Sequence, residues 1–119
     1  MPPKSNDERL IKIAEALLAR TEAGKIEWEA RDYPGADDQF DYSTTWNTIT
    51  VKSVDGDGQR PYGMYIKNEN GLEVDHLINM DLGVQNLLSD LYSAARYIAL
   101  DVDNNLDKLL DELSSEDPE

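Results

Sequence analysis

Residues 47–78 read NTITVKSVDGDGQRPYGMYIKNENGLEVDHLI, and two turn sequences divide this alternating stretch. DGDG at 55–58 suits a tight hairpin, because Asp-Gly tolerates the positive φ angles that such a turn requires. NENG at 68–71 supplies a second hairpin turn. Short alternating strands joined by tight turns form an antiparallel meander, so this stretch predicts the sheet of the fold.

The alternation also predicts which face of each strand is buried, because successive side chains in a strand point to opposite faces. Ile49 and Val51 would point into the core from the strand before the first turn. Tyr65 would lie on the opposite face of the next strand, among charged neighbours. The inward residues of that next strand are Tyr62, Met64 and Ile66.

Two more alternating stretches precede this region. KIEWEARDY at 25–33 is followed by the turn sequence PGADD, and its inward residues are Ile26, Trp28 and Ala30. QFDYSTTW at 39–46 places three aromatic side chains on one face: Phe40, Tyr42 and Trp46. The step from Trp46 to Ile49 breaks the alternation, so Asn47-Thr48 is either a bulge or a tight turn.

Helical periodicity flanks the sheet on both sides. Residues 6–23 form the first predicted helix, with Ser5 and Glu8 at capping-box spacing and Gly24 as its stop. C-terminal to the sheet, apolar residues recur every three or four positions: Val84, Leu88, Leu91, Ala95, Ile98, Val102, Leu106, Leu109 and Leu113. An extra four-residue step and nearby aspartates leave two alternatives, one long helix or two helices broken near Asp101.

Together these elements predict an α+β fold. It consists of an N-terminal helix, an antiparallel meander of three to four strands and a long C-terminal helix, continuous or broken near Asp101. A chain of 119 residues suits one compact domain, 1–119, with short flexible ends at 1–5 and 114–119.

The charge is strongly negative and uneven. The chain carries 25 acidic residues against 11 basic ones, a net charge of −14, and half of that charge lies in residues 101–119. Phosphate contacts need clustered Lys and Arg, so direct binding of nucleic acid or of an anionic membrane is not expected. The acidic end is either a solvated helix face with a frayed tail, or a surface that docks on a basic partner or imitates DNA.

Several functional classes lack support in the composition. There is no cysteine, which excludes disulfides, a thiol nucleophile and cysteine-ligated zinc. No apolar run has the length of a membrane helix, and the N-terminal residues lack the apolar segment of a secretory signal. A cytoplasmic location is therefore expected.

The acidic segment DVDNNLDKLLDE, residues 101–112, has nearly the oxygen-ligand spacing of a helix–loop–helix calcium site. Such a loop needs Gly at its sixth position for a turn with positive φ, but this position is Leu106. Lys108 also replaces the usual apolar residue at the eighth position. The segment is therefore interpreted as a capped, acidic, amphipathic helix, and no metal is expected.

Catalytic motifs are absent from the sequence. The single histidine, His76, follows Asp75 in a predicted strand, where neighbouring side chains point to opposite faces, so Asp75 cannot easily orient it. No nucleophile elbow, zinc-protease motif or glycine-rich phosphate loop is present. We therefore expect no catalytic residue, no cofactor and no enzymatic activity.

Aromatic and acidic side chains are the better candidates for a binding surface. Trp28 alternates with acids and is expected in the core. Trp46 lies at the break in alternation, where burial is common for tryptophan but a bulge would expose it. The candidate interaction surface consists of Trp46, Tyr65, Asp103, Asp107, Asp111 and Glu112.

The helix-to-strand junction LLARTEAGKIEWE contains the pattern T-x-x-G-K-[IL]-x-W, formed by Thr21, Gly24, Lys25, Ile26 and Trp28. Together with the meander and the long C-terminal helix that follow, it resembles small bacterial proteins and modules of unassigned function. The resemblance implies a bacterial or phage-like source and the helix–sheet–helix layout. It implies no catalytic residues.

These features predict a small, acidic, non-enzymatic module that binds another protein with a basic surface, as an adaptor, regulator or immunity-type protein. The first alternative is a nucleic-acid mimic that inhibits a DNA- or RNA-binding protein. The second is a homodimeric structural protein joined through the C-terminal helical stripe.

Overall fold

A computed structural model describes residues 6–30, 39–56 and 59–115. In chain order its elements are α1 (Asp7–Glu22), β1 (Glu29–Ala30), β2 (Gln39–Ser43), β3 (Asn47–Ser53), β4 (Tyr62–Asn68), β5 (Glu73–Leu77), α2 (Leu82–Ala99) and α3 (Val102–Ser115). The predicted capping residue Ser5, the 34–38 turn and most of the predicted flexible ends lie outside the described residues. Among the described helices, none has both the length and the apolar character needed to span a membrane.

The α+β class and the antiparallel meander are confirmed, but the sheet has five strands where three to four were predicted. Its order is β1-β2-β3-β4-β5, with each strand antiparallel to the next. The extra strand arises because the break in alternation is a turn between two paired strands, although this turn comprises residues 44–46 and the predicted turn residues Asn47 and Thr48 lie in β3. In that turn the Thr44 amide donates to the Asn47 carbonyl at 2.8 Å, and the Asn47 amide donates to the Thr44 hydroxyl at 3.1 Å.

The two predicted hairpin turns lie where expected. The connection from β3 to β4 includes Gly56 at φ +72°, and the connection from β4 to β5 includes Gly71 at φ +82°. Only glycine adopts such angles without strain, which is why these positions punctuate the meander. The second half of the DGDG sequence lies outside the described residues.

One face of the sheet packs against α1 and α2 and forms the core. As predicted, Ile49 and Val51 point inward from β3, and Met64 points inward from β4. Tyr92 of α2 connects the sheet to the helices, since its ring stacks on Tyr62 at 4.5 Å. The fully buried core side chains include Phe40, Leu77, Leu88 and Leu91.

Trp28 is buried, as predicted, and is also hydrogen bonded. Its indole N–H donates to the Thr21 hydroxyl at 2.9 Å, and that hydroxyl donates to the Leu17 carbonyl at 2.6 Å. The contact joins the end of α1 to the residues before β1. The predicted inward position of Ala30 is wrong, because this residue is exposed in β1, an edge strand of the sheet.

The start of α2 is fastened to β4 by polar contacts. The Asp81 carboxylate accepts from the Gly83 and Val84 amides, which satisfies two free donors of the first helical turn. The buried Gln85 amide group accepts from the Tyr62 amide at 3.0 Å and donates to the Tyr62 carbonyl at 3.2 Å. Because a buried polar group is costly unless it is paired, this bridge sets where α2 begins on the sheet.

The C-terminal region is two helices, not one. The chain leaves α2 after Ala99, and Asp101 has φ +52°, the only non-glycine residue with positive φ in the described chain. The molecule is elongated, with extents of 76 × 32 × 29 Å. The tertiary contacts of α3 are chiefly with the adjoining end of α2, so α3 projects from the helix-and-sheet core.

Two matched substitutions distinguish the core from the projecting helix. We expect Leu88→Ala to lower the free energy of unfolding by about 2–5 kcal/mol, because Leu88 is fully buried. Leu109→Ala should change it by less than about 0.5 kcal/mol, because Leu109 is exposed. Urea denaturation followed by circular dichroism measures both values. A large loss from Leu109→Ala would mean that α3 packs against the core.

Candidate functional site

The structure separates the six candidate residues into three places. Asp103, Asp107, Asp111 and Glu112 lie on α3 and are exposed. Trp46 lies in the turn between β2 and β3, and Tyr65 lies on the outer face of the sheet, opposite the helices. We therefore treat α3 and the outer sheet face as separate candidate sites.

The most unusual feature of α3 is that its leucine side chains are exposed to solvent. Every side chain from residue 103 to residue 114 is exposed. The exposed fractions of the four leucines range from 48% to 61%: Leu106, Leu109, Leu110 and Leu113. The sequence pattern predicted this stripe only as a possible homodimer contact, and its leucines were not among the candidate surface residues, because the same spacing is typical of a helix that packs on its own core.

The leucines and the acids of α3 lie side by side. Successive residues are about 100° apart around an α-helix, so the four leucines and Val102 form one apolar stripe. Asp103, Asp107 and Asp111 recur at four-residue intervals and form a row along one flank of this stripe. Glu112 lies on the other flank. α3 thus presents an apolar stripe with an acidic border.

Side chains at the junction between α2 and α3 hold the break in place. The Asp101 carbonyl accepts from the Asn105 amide at 3.0 Å, so Asp101 has the position that begins α3. The Asn105 side chain donates to the Leu100 carbonyl at 2.7 Å, and the Asn104 side chain donates to the Asp101 carboxylate at 3.0 Å. These contacts satisfy backbone and side-chain groups that the break would otherwise leave unpaired.

Tyr97 links the last turn of α2 to the first turn of α3. Its hydroxyl donates to the Asp103 carboxylate. This hydrogen bond raises the pKa of Tyr97 above its ordinary value, and desolvation and the negative charges of Asp103 and Asp107 add to the effect. Asp103 therefore has a structural role at the junction as well as a place on the acidic flank.

On the outer sheet face, Tyr65 is held between a glycine and a lysine. A Cβ atom on Gly63 would lie 2.8 Å from Cε1 of Tyr65, so the absence of a side chain at Gly63 is what allows the ring to lie there. Lys52 Nζ lies 4.7 Å from the centroid of the same ring. Tyr65 is half-buried. It is held in place by its neighbours and is not a free aromatic side chain.

His76 has a partner that its sequence neighbours do not reveal. Nδ1 of His76 lies 3.0 Å from Oε2 of Glu73, and its ring is 5.8 Å from the ring of Tyr65. An irregularity in the pairing of β5 with β4 at Ile66 and Lys67 brings Glu73 to the same face as His76. Strict alternation would place these two side chains on opposite faces, so the sequence pattern does not predict the pair.

Trp46 is exposed, with 67% of its surface accessible. It lies in a turn, where the two strands reverse direction, and not on the inward face with Phe40 and Tyr42. The predicted common face of these three aromatic residues is therefore wrong for Trp46. An exposed tryptophan of this kind can contact a partner, but it is on the sheet and not on α3.

The acidic segment at 101–112 is helical from Val102, so it does not form the loop that a helix–loop–helix calcium site requires. Among the described residues, no group of three or more His, Asp or Glu side chains is arranged to hold a metal ion. No protein-family model, curated protein or solved structure matches the chain. The resemblance built on the T-x-x-G-K-[IL]-x-W pattern stays a prediction, and the function must be argued from this geometry.

The junction makes a prediction about pH. Because the pKa of Tyr97 is raised in the folded protein, its neutral form favours the fold; this contribution is present at neutral pH and is lost as the pH rises through the folded pKa. Asp103→Asn should move the pKa of Tyr97 down toward its ordinary value. Titration of the tyrosine ring carbons by NMR measures the change, and an unmoved pKa would contradict the Tyr97–Asp103 contact. Tyr65, whose pKa is raised chiefly by burial, serves as the internal control.

Proposed function

We propose that the protein is a non-enzymatic binding module that presents α3 to a partner protein. The observation that supports this proposal is the apolar stripe of α3, whose four leucines are about half exposed. Contiguous apolar surface on a folded chain is typical of an interaction site. A helix of 14 residues is about 21 Å long, which suits the mode in which an amphipathic helix binds in an apolar groove.

The charges of α3 specify the chemistry of the partner. The three aspartates on one flank would face the rim of the groove that receives the leucines. A rim with Lys or Arg residues would pair with them, whereas an acidic rim would repel them. The partner of this proposal is therefore a protein with an apolar groove and a basic rim.

A second copy of the chain fits this description less well. α3 contains four acidic residues and one lysine, so each helix contributes a charge of −3. Pairing two such helices would bring like charges together beside the leucines, which opposes association. The homodimer is thus an alternative that experiment must distinguish from binding to a different protein.

A designed helical peptide tests the proposed chemistry directly. The probe has leucines at coiled-coil core positions and lysines at the flanking positions, and a second peptide has glutamates in place of the lysines. We expect the basic peptide to bind the full chain, with weaker binding as salt increases, and the acidic peptide to bind at least about tenfold less tightly. Isothermal titration calorimetry measures both affinities.

Matched variants locate the binding on α3. Replacing Leu106, Leu109 and Leu113 together by glutamine keeps good helix formers on α3 and removes three of the four leucines of the apolar stripe. This variant should lose binding, whereas Leu72→Gln should not, although Leu72 is 64% exposed. Equal affinity for the two peptides, or binding that survives the triple replacement, would refute the proposal. Sedimentation of the free chain as a dimer that the triple replacement dissociates would favour the homodimer.

The row of three aspartates also supports the alternative of a nucleic-acid mimic. Asp103, Asp107 and Asp111 form a regular line of carboxylates on a projecting helix. A mimic would depend on these charges and not on the leucines. Replacing Asp107 and Asp111 by asparagine, with Asp103 kept for its contact to Tyr97, should then abolish binding to the basic peptide, while the leucine variant would bind normally.

A further inference from the structure

The outer sheet face contains a small cavity that is separate from α3. Its volume is about 170 Å³. The residues that line it come from β2, β3, β4 and β5 and are all polar or charged, apart from the ring of Tyr65: Gln39, Thr50, Lys52, Tyr65, Lys67 and Glu73. Strand pairing places Thr50 directly opposite Tyr65, so these two residues form the middle of the cavity.

The two lysines of this cavity are not paired with any carboxylate that the structure describes. Within the described part of the chain, neither Lys52 nor Lys67 forms an ion pair, and the interaction of the Lys52 ammonium is with the ring of Tyr65. Glu73, the single acid among the described lining residues, is 3.0 Å from His76. Among the described lining residues, two lysines and one glutamate give a charge of +1, and the carboxylate of the neighbouring Asp41 is hydrogen bonded to Thr50.

The donors of the cavity are held in position. The ring of Tyr65 lies over Gly63, and Lys52 covers it. Burial, followed by the charge of Glu73, raises the pKa of Tyr65, so its hydroxyl remains a donor at neutral pH. The Thr50 hydroxyl is already used, since it donates to the Asp41 carboxylate at 2.6 Å. The groups available to a ligand are the two ammonium groups, the tyrosine hydroxyl and the amide of Gln39.

We propose that this cavity binds a small anion, with Lys52 and Lys67 on its two sides and the Tyr65 hydroxyl as a further donor. A phosphate group and a carboxylate group both match these donors, because each offers several acceptor oxygens to cationic groups. Because both lysines line the same small cavity, a compact anion is the ligand that fits it. The site is independent of α3, so its failure would leave the proposed function of α3 untouched.

Titration with inorganic phosphate and, separately, with succinate tests the proposal and distinguishes the two chemistries. Ionic strength is held constant with sodium chloride, and backbone amide shifts are followed by NMR. We expect saturable shifts at Thr50, Tyr65 and Lys67. Tighter binding of phosphate would assign a phosphate ligand, and tighter binding of succinate a carboxylate ligand. Shifts that rise linearly without saturation for both anions would overturn the proposal.

Charge variants provide the matched controls. Lys52→Gln and Lys67→Gln should each weaken binding by about tenfold, because each removes a charge-assisted hydrogen bond. Lys12→Gln, at an exposed position of α1, should leave the affinity unchanged. Glu73→Gln should tighten binding, because it removes a negative charge from the described lining. Equal affinities for the Lys12, Lys52 and Lys67 variants would show that the anion binds without this cavity.

Discussion

The break between α2 and α3 is the constraint on which the proposed binding surface depends. Its centre is Asp101, whose φ of +52° lies in the left-handed region, where a side chain carries a steric cost that is smaller for Asp than for most residues. Hydrogen bonds from Asn104 and Asn105 and the Tyr97–Asp103 contact offset this cost. If α2 continued without the break, the leucines of α3 would have a different direction relative to the sheet. The break therefore separates the apolar stripe of α2, which packs in the core, from the apolar stripe of α3, which is exposed.

Apolar residues recur with the same spacing in α2 and α3, but they are buried in α2 and exposed in α3. In α2, the stripe that includes Leu88 and Leu91 is buried against the sheet and α1. In α3, the stripe that includes Leu106 and Leu113 is exposed. Periodicity predicts that a helix has an apolar face, but it does not say what covers that face. For this reason the sequence predicted α3 as a helix and offered its leucines only as a homodimer contact, not as candidate residues for binding a partner.

Local signals account for the parts of the fold that could be predicted. Glycines at 56 and 71 mark two hairpins, and alternation identifies Ile49, Val51 and Met64 as core residues. The turn between β2 and β3 lacks glycine and is held by the Thr44 hydroxyl. The sequence therefore left two alternatives, a bulge or a tight turn, and the predicted number of strands was too low. The number of helices was open for a similar reason, because both Asp101 and Asp103 are good first residues for a new helix.

The candidate sites depend on contacts between distant residues, which explains why they were only partly predictable. The exposure of the acids of α3 follows from the sequence, because carboxylates are almost never fully buried unless they are paired. The outer sheet site needs the register of β3 with β4, which brings Lys52 over Tyr65, and the irregularity in β5 that turns Glu73 toward His76. Neither contact has a signature in the order of residues.

The isolation of α3 also bears on how it would bind. A free helix of 14 residues is marginal in water, because nucleation is costly and most helical stability in proteins comes from packing. α3 begins with a defined first turn, supplied by Asp101, Asn105 and Tyr97, so part of the nucleation cost is already met in the free protein. A partner that covers the leucines would add the missing packing. The acidic flank meanwhile opposes pairing of α3 with itself, which leaves the stripe available to a partner of opposite charge.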